Sequence, residues 1–270
     1  MDLSKNMIIN NKYIIIKKIG EGKFGKIFLS KNKYTNEKVA IKLDTNNILL
    51  KNEARIYNYL YNINGIPKLR AYGKENSYNY LIIDLLDCTL IKKRELNGNK
   101  FTFNYVINFG IKIIDIISNI HKKNIIHRDI KPENIMFKNN NGFDNIYIID
   151  FGLSKLYDSN KKNFVNKENI IVGTYNYISL HTHYGFMPSK RDDLESIGYI
   201  LLYMYYGKLP WNNLLDIKQE KQKLINSNIK NNIFINFIKK CNELKYDENP
   251  NYLELKTLLS RSLNNNNKTI

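Results

Sequence analysis

The sequence predicts an α+β fold in two lobes. A small β-rich lobe with one main helix spans residues 1–86, and a larger, mostly helical lobe spans 87–270. Three observations carry this. Residues 12–43 alternate apolar and polar side chains and are rich in β-branched residues, in YIIIKKIG, KIFLSKNK and KVAIKL, which is the pattern of half-buried strands. Residues 103–123 place apolar side chains on nearly every turn, as a mostly buried helix does. With 270 residues the chain is long enough for two lobes around a cleft.

The elements follow in order. After the first strands the pattern changes at Asn46, a suitable helix cap, and Leu49, Leu50, Ala54, Ile56, Tyr57 and Leu60 fit one helical face. YNYLIIDLL reads as a buried strand. Beyond DCTL the chain becomes helical, and Gly110 weakens the long 103–123 helix slightly. NIMF and IYIID read as two short strands. DDLESIGYILLYMYYG reads as a helix ended by Gly207, with Pro210 just beyond. Helices are expected near 214–225, 231–243 and, after Pro250, 251–262. KNNNG reads as a turn and NNNNKT as a frayed tail.

Composition narrows the function classes. Lys plus Arg number 42 and Asp plus Glu 25, so the formal net charge is 42 − 25 = +17. Such a field attracts anions, whether nucleotides, acidic peptides, nucleic acid or anionic lipid. Much of the lysine accords with the Asn/Lys/Ile/Tyr bias of an A/T-rich genome and makes a solvated surface. Cys88 and Cys241 form no CxxC and no metal-like grouping, which fits a reducing compartment. No apolar run approaches the ~20 residues of a membrane span. MDLSKNMIINNKY lacks a signal-peptide core. The expectation is an intracellular protein, cytoplasmic or nuclear, without membrane attachment.

Four motifs carry chemistry. IGEGKFGKIF sets Gly20, Gly22 and Gly25 between two strands, where main-chain N–H groups can approach phosphate. A strand, not a helix, follows the third glycine, which argues against a dinucleotide fold. KVAIK ends a strand on Lys42, a cation among apolar neighbours that needs a partner, and Glu53 on the next helix is within reach. IIHRDIKPENIM places Asp129, Lys131 and Asn134 within six residues. IIDFGLSK follows a buried strand with Asp150, Phe151 and Gly152; Asn134 and Asp150 offer the hard oxygen ligands that Mg²⁺ prefers. Each string alone is weak; four in this order on suitable elements are specific.

With those residues quoted, the chain resembles the eukaryotic-type protein kinases from about Tyr13 to Leu263. Lys131, two residues after Asp129, resembles the Ser/Thr branch. SLHTHYG in place of an A-P-E triplet, with SKRDDLESIGYILLYMYYGKLPW, NGIPKLRAYG and FIKKCNELKYDENPNYLELKTLL, is similar to the casein kinase 1 group. The vaccinia-related kinases, a sibling group, share the DDLE-x-x-GY and LPW pieces but often depart from the D-F-G and H-R-D-x-K-P-E-N strings kept here.

The resemblance implies a bilobal protein-kinase-like fold and transfer of the ATP γ-phosphate to protein Ser/Thr, with ATP and Mg²⁺ as cofactors. It implies that Gly20, Gly22 and Gly25 cover the phosphates. Lys42, oriented by Glu53, holds the α/β-phosphates. Ile27, Ala40 and Met136 sandwich adenine, Ile83 is the gatekeeper, and Asp84 to Leu86 form the hinge. Asp129 takes or orients the substrate hydroxyl proton, Lys131 steadies the moving phosphate, and Asn134 and Asp150 bind Mg²⁺. Asp193 braces the catalytic loop, Arg128 stands ready for an activation-segment phosphate, and His127 is a structural residue stacked under Phe151. Pro132 and Glu133 shape the loop.

Two departures bear on specificity. Asn176 in GTYNY stands where the casein kinase 1 pattern has an arginine of a phosphate-reading site, and Lys221 aligns loosely with another basic member of that site. The stretch from Lys221 to Ile233 is also short for the group. No convincing phosphosite lies within Asp150–Ser179, so activity without activating phosphorylation is expected. Expected partners are protein substrates of acidic character, with weak electrostatic nucleic-acid association and a monomeric state. The alternatives are a pseudokinase or scaffold, a nucleic-acid-associated protein, and a small-molecule kinase; the LHTH segment resembles a protein-substrate platform and disfavours the last.

Overall fold

The computed structural model describes residues 7–22, 25–45, 47–138, 145–158, 171–212, 214–229 and 231–266. The expected Asn46 cap, residues 23–24 of the glycine-rich stretch, most of the KNNNG turn, residues 159–170 of the activation segment and the end of the tail lie outside them.

The first lobe is a six-stranded antiparallel sheet built from β1 (Ile8–Ile9), β2 (Tyr13–Gly22), β3 (Gly25–Asn32), β4 (Lys38–Asp44), β5 (Leu69–Glu75) and β6 (Tyr78–Asp84). The spatial order is β1-β2-β3-β4-β6-β5. The sequence pattern does not announce β1 or β5. β1 is two residues long, and in β5 only Leu69, Ala71 and Tyr72 join the apolar clusters, so neither alternates clearly. Period two on β4 sends Val39, Ile41 and Leu43 into a small core with Ile9, Tyr13, Ile15, Phe28, Tyr80 and Ile82. The same period turns Ala40 and Lys42 to the opposite face, over the cleft. There α1 (Asn47–Tyr59) packs, burying Leu50, Ala54 and Tyr57 in the larger core.

The second lobe is helical. α2 (Leu90–Leu96) is a short helix capped by the Thr89 hydroxyl, which accepts from the Lys92 N–H. α3 (Phe103–Lys122) is capped by Thr102 in the same way and buries a continuous apolar stripe. α4 (Leu180–His183) is a single turn. α5 (Lys190–Tyr206) starts where Asp192 accepts from the Ser189 N–H and ends on Gly207. α6 (Ile217–Asn226), α7 (Ile233–Glu243) and α8 (Tyr252–Asn266) complete the lobe. Both α6 and α7 begin later than expected, because Asp216 and Asn232 are caps rather than helical residues. α5 packs against α3 and α7, and α8 covers α3.

Between the lobes run three short strand pairings. β7 (Cys88–Thr89), β9 (Ile135–Phe137) and β10 (Ile146–Ile148) form one small sheet, and β8 (Ile125–Ile126) pairs with β11 (Lys155–Leu156). Of NIMF, only Ile135–Phe137 is strand, as β9, because Asn134 closes a 3-10 turn over Pro132–Asn134. β10 stops two residues before Asp150, whose φ of 66° lies outside strand geometry. Among the described residues no helix is long and apolar enough to cross a membrane.

Candidate active site

Lys42 enters the cleft from β4. Its Nζ lies 2.8 Å from Glu53 Oε2 and 3.1 Å from Asp150 Oδ1. Burial pushes the Lys42 ammonium down, and the carboxylates of Glu53 and Asp150 more than reverse this, so its pKa lies above the ordinary value. Burial pushes the Glu53 carboxyl up to about 7, against the pull of Lys42. The two directions oppose each other. The 2.8 Å contact with an ammonium decides for the ionised carboxylate at and above neutral pH.

IIHRDIKPENIM hangs between β8 and β9 and is held from below by Asp193. That carboxylate, in the first turn of α5, accepts from the main-chain N–H of His127 at 2.7 Å and of Arg128 at 2.9 Å. It also lies 3.0 Å from His121 Nε2. Burial pushes Asp193 up, but the His121 hydrogen bond, the nearby imidazoles and the main-chain donors outweigh it and hold the carboxyl below its usual range. Arg128 is thereby fixed at φ 69°, and its Nε donates to the Leu153 carbonyl at 2.6 Å. His127 is fully buried. Its Nε2 lies 3.0 Å from the Ile149 carbonyl and its Nδ1 accepts from the Asp129 N–H at 3.2 Å, which assigns the proton to Nε2. Its ring meets Phe151 edge-on, at 4.9 Å and 62°, rather than stacked beneath it.

Asp129 is buried and fully engaged. Oδ1 accepts from the Thr174 hydroxyl at 2.7 Å, and Oδ2 lies 2.8 Å from Lys131 Nζ and 3.1 Å from Asn134 Nδ2. Lys131 Nζ also donates to Thr174 Oγ1 at 2.9 Å, closing a ring of Asp129, Lys131 and Thr174. The Asn134 amide donates both to the Asp129 carbonyl and to its carboxylate. This leaves Asn134 Oδ1, on the other side of the amide, with no hydrogen bond among the described residues.

One cavity of about 480 Å³ opens between the lobes. Gly20, Gly22, Gly25, Ile27, Ala40, Lys42, Glu53, Ile83, Asp84, Leu86, Met136, Lys131, Asn134 and Asp150 all line it, with Asp129 adjoining through its contacts to Lys131 and Asn134. The volume is that of a small-molecule site. Gly25 sits at φ 115°, and a Cβ there would meet the Leu43 carbonyl at 2.4 Å, so this hairpin requires a glycine. The Asp84 carboxylate turns outward to Arg70, which also reaches Glu37, so main-chain atoms are what the hinge offers the cavity.

A protein-family model described as the protein kinase domain matches residues 13–269. The chain belongs to the protein kinase family. The family's chemistry is phosphoryl transfer from ATP with a divalent metal. The donor set of this kinase fits both groups. Its cavity has an apolar floor and ceiling for a base and a cation at Lys42 for phosphate. Among the described residues no three His, Cys, Asp or Glu side chains form a ready metal cage. Asn134 and Asp150 alone would hold a cation only together with phosphate oxygens, the partial protein coordination typical of Mg²⁺.

Besides the His127 stacking, the structure corrects two further sequence readings. Lys221 is fully buried, not an open phosphate receptor. Its Nζ donates to the carbonyls of Ile178 at 2.6 Å and Tyr175 at 3.1 Å, lies 3.2 Å from His183 Nε2, and sits over the rings of Tyr199 and Trp211. Burial pushes its pKa down to about 7. Glu133 is exposed at the cavity edge rather than part of the loop's internal scaffold. Thr174 is a site residue to which the sequence assigns no role, although it lies in the GTYNY string. Its one signal is a hydroxyl residue in VGTYNY, and nothing local says that this segment folds back onto Asp129.

Proposed function

We propose that this kinase is a serine/threonine kinase of the casein kinase 1 group, using Mg²⁺ and ATP and favouring acidic protein substrates. The ring of Asp129, Lys131 and Thr174 beside Asn134 supports the reading best. Asp129 is aimed by fixed donors, so its carboxylate can orient an incoming hydroxyl and take its proton, a contribution of about 10²–10⁴-fold. Lys131 offsets charge on the transferring phosphate and Lys42 on the α/β-phosphates, and main-chain N–H groups at Gly20, Gly22 and Gly25 cover the phosphates. Asn134 Oδ1 and Asp150 would hold the metal together with phosphate oxygens, and the metal would offset charge on the phosphates. The net charge of +17 supports the acidic preference.

The test is phosphorylation of casein by the purified chain, with phosphoserine and phosphothreonine analysis. Asp129→Asn abolishes transfer while circular dichroism and melting stay near wild type; a fully active variant would refute the assignment of the base. Acidic peptides turn over faster than basic ones at moderate salt, and equal turnover would remove the substrate preference. Asn176 is uncharged and the Lys221 head is buried, so phospho-primed and unprimed peptides are expected to turn over alike. Selective use of the primed peptide would contradict this.

A further inference from the structure

On α1, Leu49, Asn52, Glu53 and Tyr57 stand at i, i+3, i+4 and i+8, one stripe of a helix. Every member of that stripe meets the segment that begins at Asp150. Leu49 packs over Gly152, Glu53 reaches Asp150 through Lys42, and the Tyr57 hydroxyl accepts from the Asp150 N–H at 3.2 Å. Asn52 makes the densest contact. Its Nδ2 donates to the carbonyls of Gly152 and Ser154, both at 3.0 Å, and lies 3.4 Å from that of Phe151. Three carbonyls fix which end of the amide points inward, because only the –NH₂ can donate to them.

We propose that Asn52 is a positioning residue that clamps α1 to residues 151–154. The clamp holds Glu53 where it pairs with Lys42, and holds Asp150 at its left-handed backbone beside the same lysine. Without it, the Phe151, Gly152 and Ser154 carbonyls have no side chain from α1 to gather them, and only the apolar packing of α1 and the Lys42 and Tyr57 contacts set the helix against this segment. With it, α1 is set by an uncharged side chain already in the sequence rather than by an added phosphate. This rests on the kinase reading above and assigns a role to a residue that no motif singles out.

The experiment uses the full chain and two near-isosteric variants that lack the donor, Asn52→Asp and Asn52→Leu. Turnover with saturating ATP and casein is measured at low temperature, well below melting, beside the KM for ATP and amide hydrogen exchange over residues 150–158. Both variants are expected to turn over at least 10-fold more slowly than wild type. The KM for ATP changes less than 3-fold, and exchange quickens in the 150–158 segment and at its partner β8. Turnover within 2-fold of wild type in both variants, or unchanged exchange, would overturn the clamp. An inactive wild-type chain whose variants still exchange faster would sink the kinase reading and leave the clamp standing.

Discussion

Replacing Thr174 with Val removes one hydroxyl and keeps the volume. That hydroxyl donates to Asp129 Oδ1 at 2.7 Å and accepts from Lys131 Nζ at 2.9 Å. Lys131 keeps its 2.8 Å contact with Asp129 Oδ2, and Asn134 keeps its own, so the loss falls on Oδ1 and on the angle of the lysine. A hydrogen bond to a charged group contributes about 1.5–3 kcal/mol. If that stabilisation is present in full only when the carboxylate is aimed at the hydroxyl, turnover slows by roughly 10–150-fold at about 1.36 kcal/mol per decade. The KM for ATP is expected to change little, since Lys42, the glycine hairpin and the hinge are untouched. Steady-state transfer to casein, read beside a thermal melt, checks this. Thr174→Ser restores the hydroxyl and is expected to recover most of the rate. The reasoning fails if Thr174→Val keeps more than half of the wild-type turnover, or if Thr174→Ser falls as far as Thr174→Val.

The same geometry makes three further outcomes testable. Glu53, held up to about 7 by burial, takes a proton as pH falls through neutrality, and the Lys42 pair is lost with it. Because that folded value lies above the unfolded 4.5, this group itself adds stability as pH falls from 7 toward 4.5. A pH series is therefore expected to show turnover dropping below about pH 7 while the melt holds, with the limb absent in Glu53→Gln. Gly198→Ala would place a Cβ 2.4 Å from Ile238 Cγ1 where α5 meets α7. Overpacking of about 1–3 kcal/mol outweighs a helix-propensity gain of about 1 kcal/mol, so melting falls by a few degrees; a rise would contradict the close approach. Lys221→Met strips the Ile178 carbonyl of its donor, at about 1–3 kcal/mol, and lowers melting without selectively harming primed substrates.

What can be read from sequence depends on whether a residue's role is local. Lys42 is legible because period two on KVAIK puts a charge on an apolar strand, which demands partners, and Glu53 lies on the next helix. Asp129, Lys131 and Asn134 are legible because they crowd six residues between buried flanks. Thr174 is not, since its partners stand 45 and 43 residues away across a turn that nothing local announces. Asn52 is hidden for a similar reason: an asparagine on a helix reads as a solvated residue until three carbonyls about 100 residues later come to meet it. Lys221 misleads because alignment supplies a charge without its depth. Only the fold shows that its head lies over Trp211 and Tyr199 and is taken up by the Ile178 and Tyr175 carbonyls.

The catalytic loop shows how burial is turned into aim. Asp193 sits fully inside the larger lobe, where an isolated carboxylate would be expensive. It stays ionised because His121 and the first turn of α5 face it and two main-chain N–H groups bind it. Those two donors belong to His127 and Arg128, so the same bonds that keep the charge tolerable also force Arg128 into a left-handed backbone. That turn, with the His127 ring accepting from the Asp129 N–H, points the Asp129 carboxylate out of the core toward Lys131 and Thr174. Asp193→Asn would keep the shape but leave one oxygen for two main-chain donors, so one bond weakens and the other is lost where the –NH₂ faces an N–H. It is expected to slow turnover with a modest fall in melting, because the Asp129 carboxylate proposed as the base loses its direction before the lobe loses its fold. A variant with wild-type turnover would mean that the loop holds its turn without the buried charge.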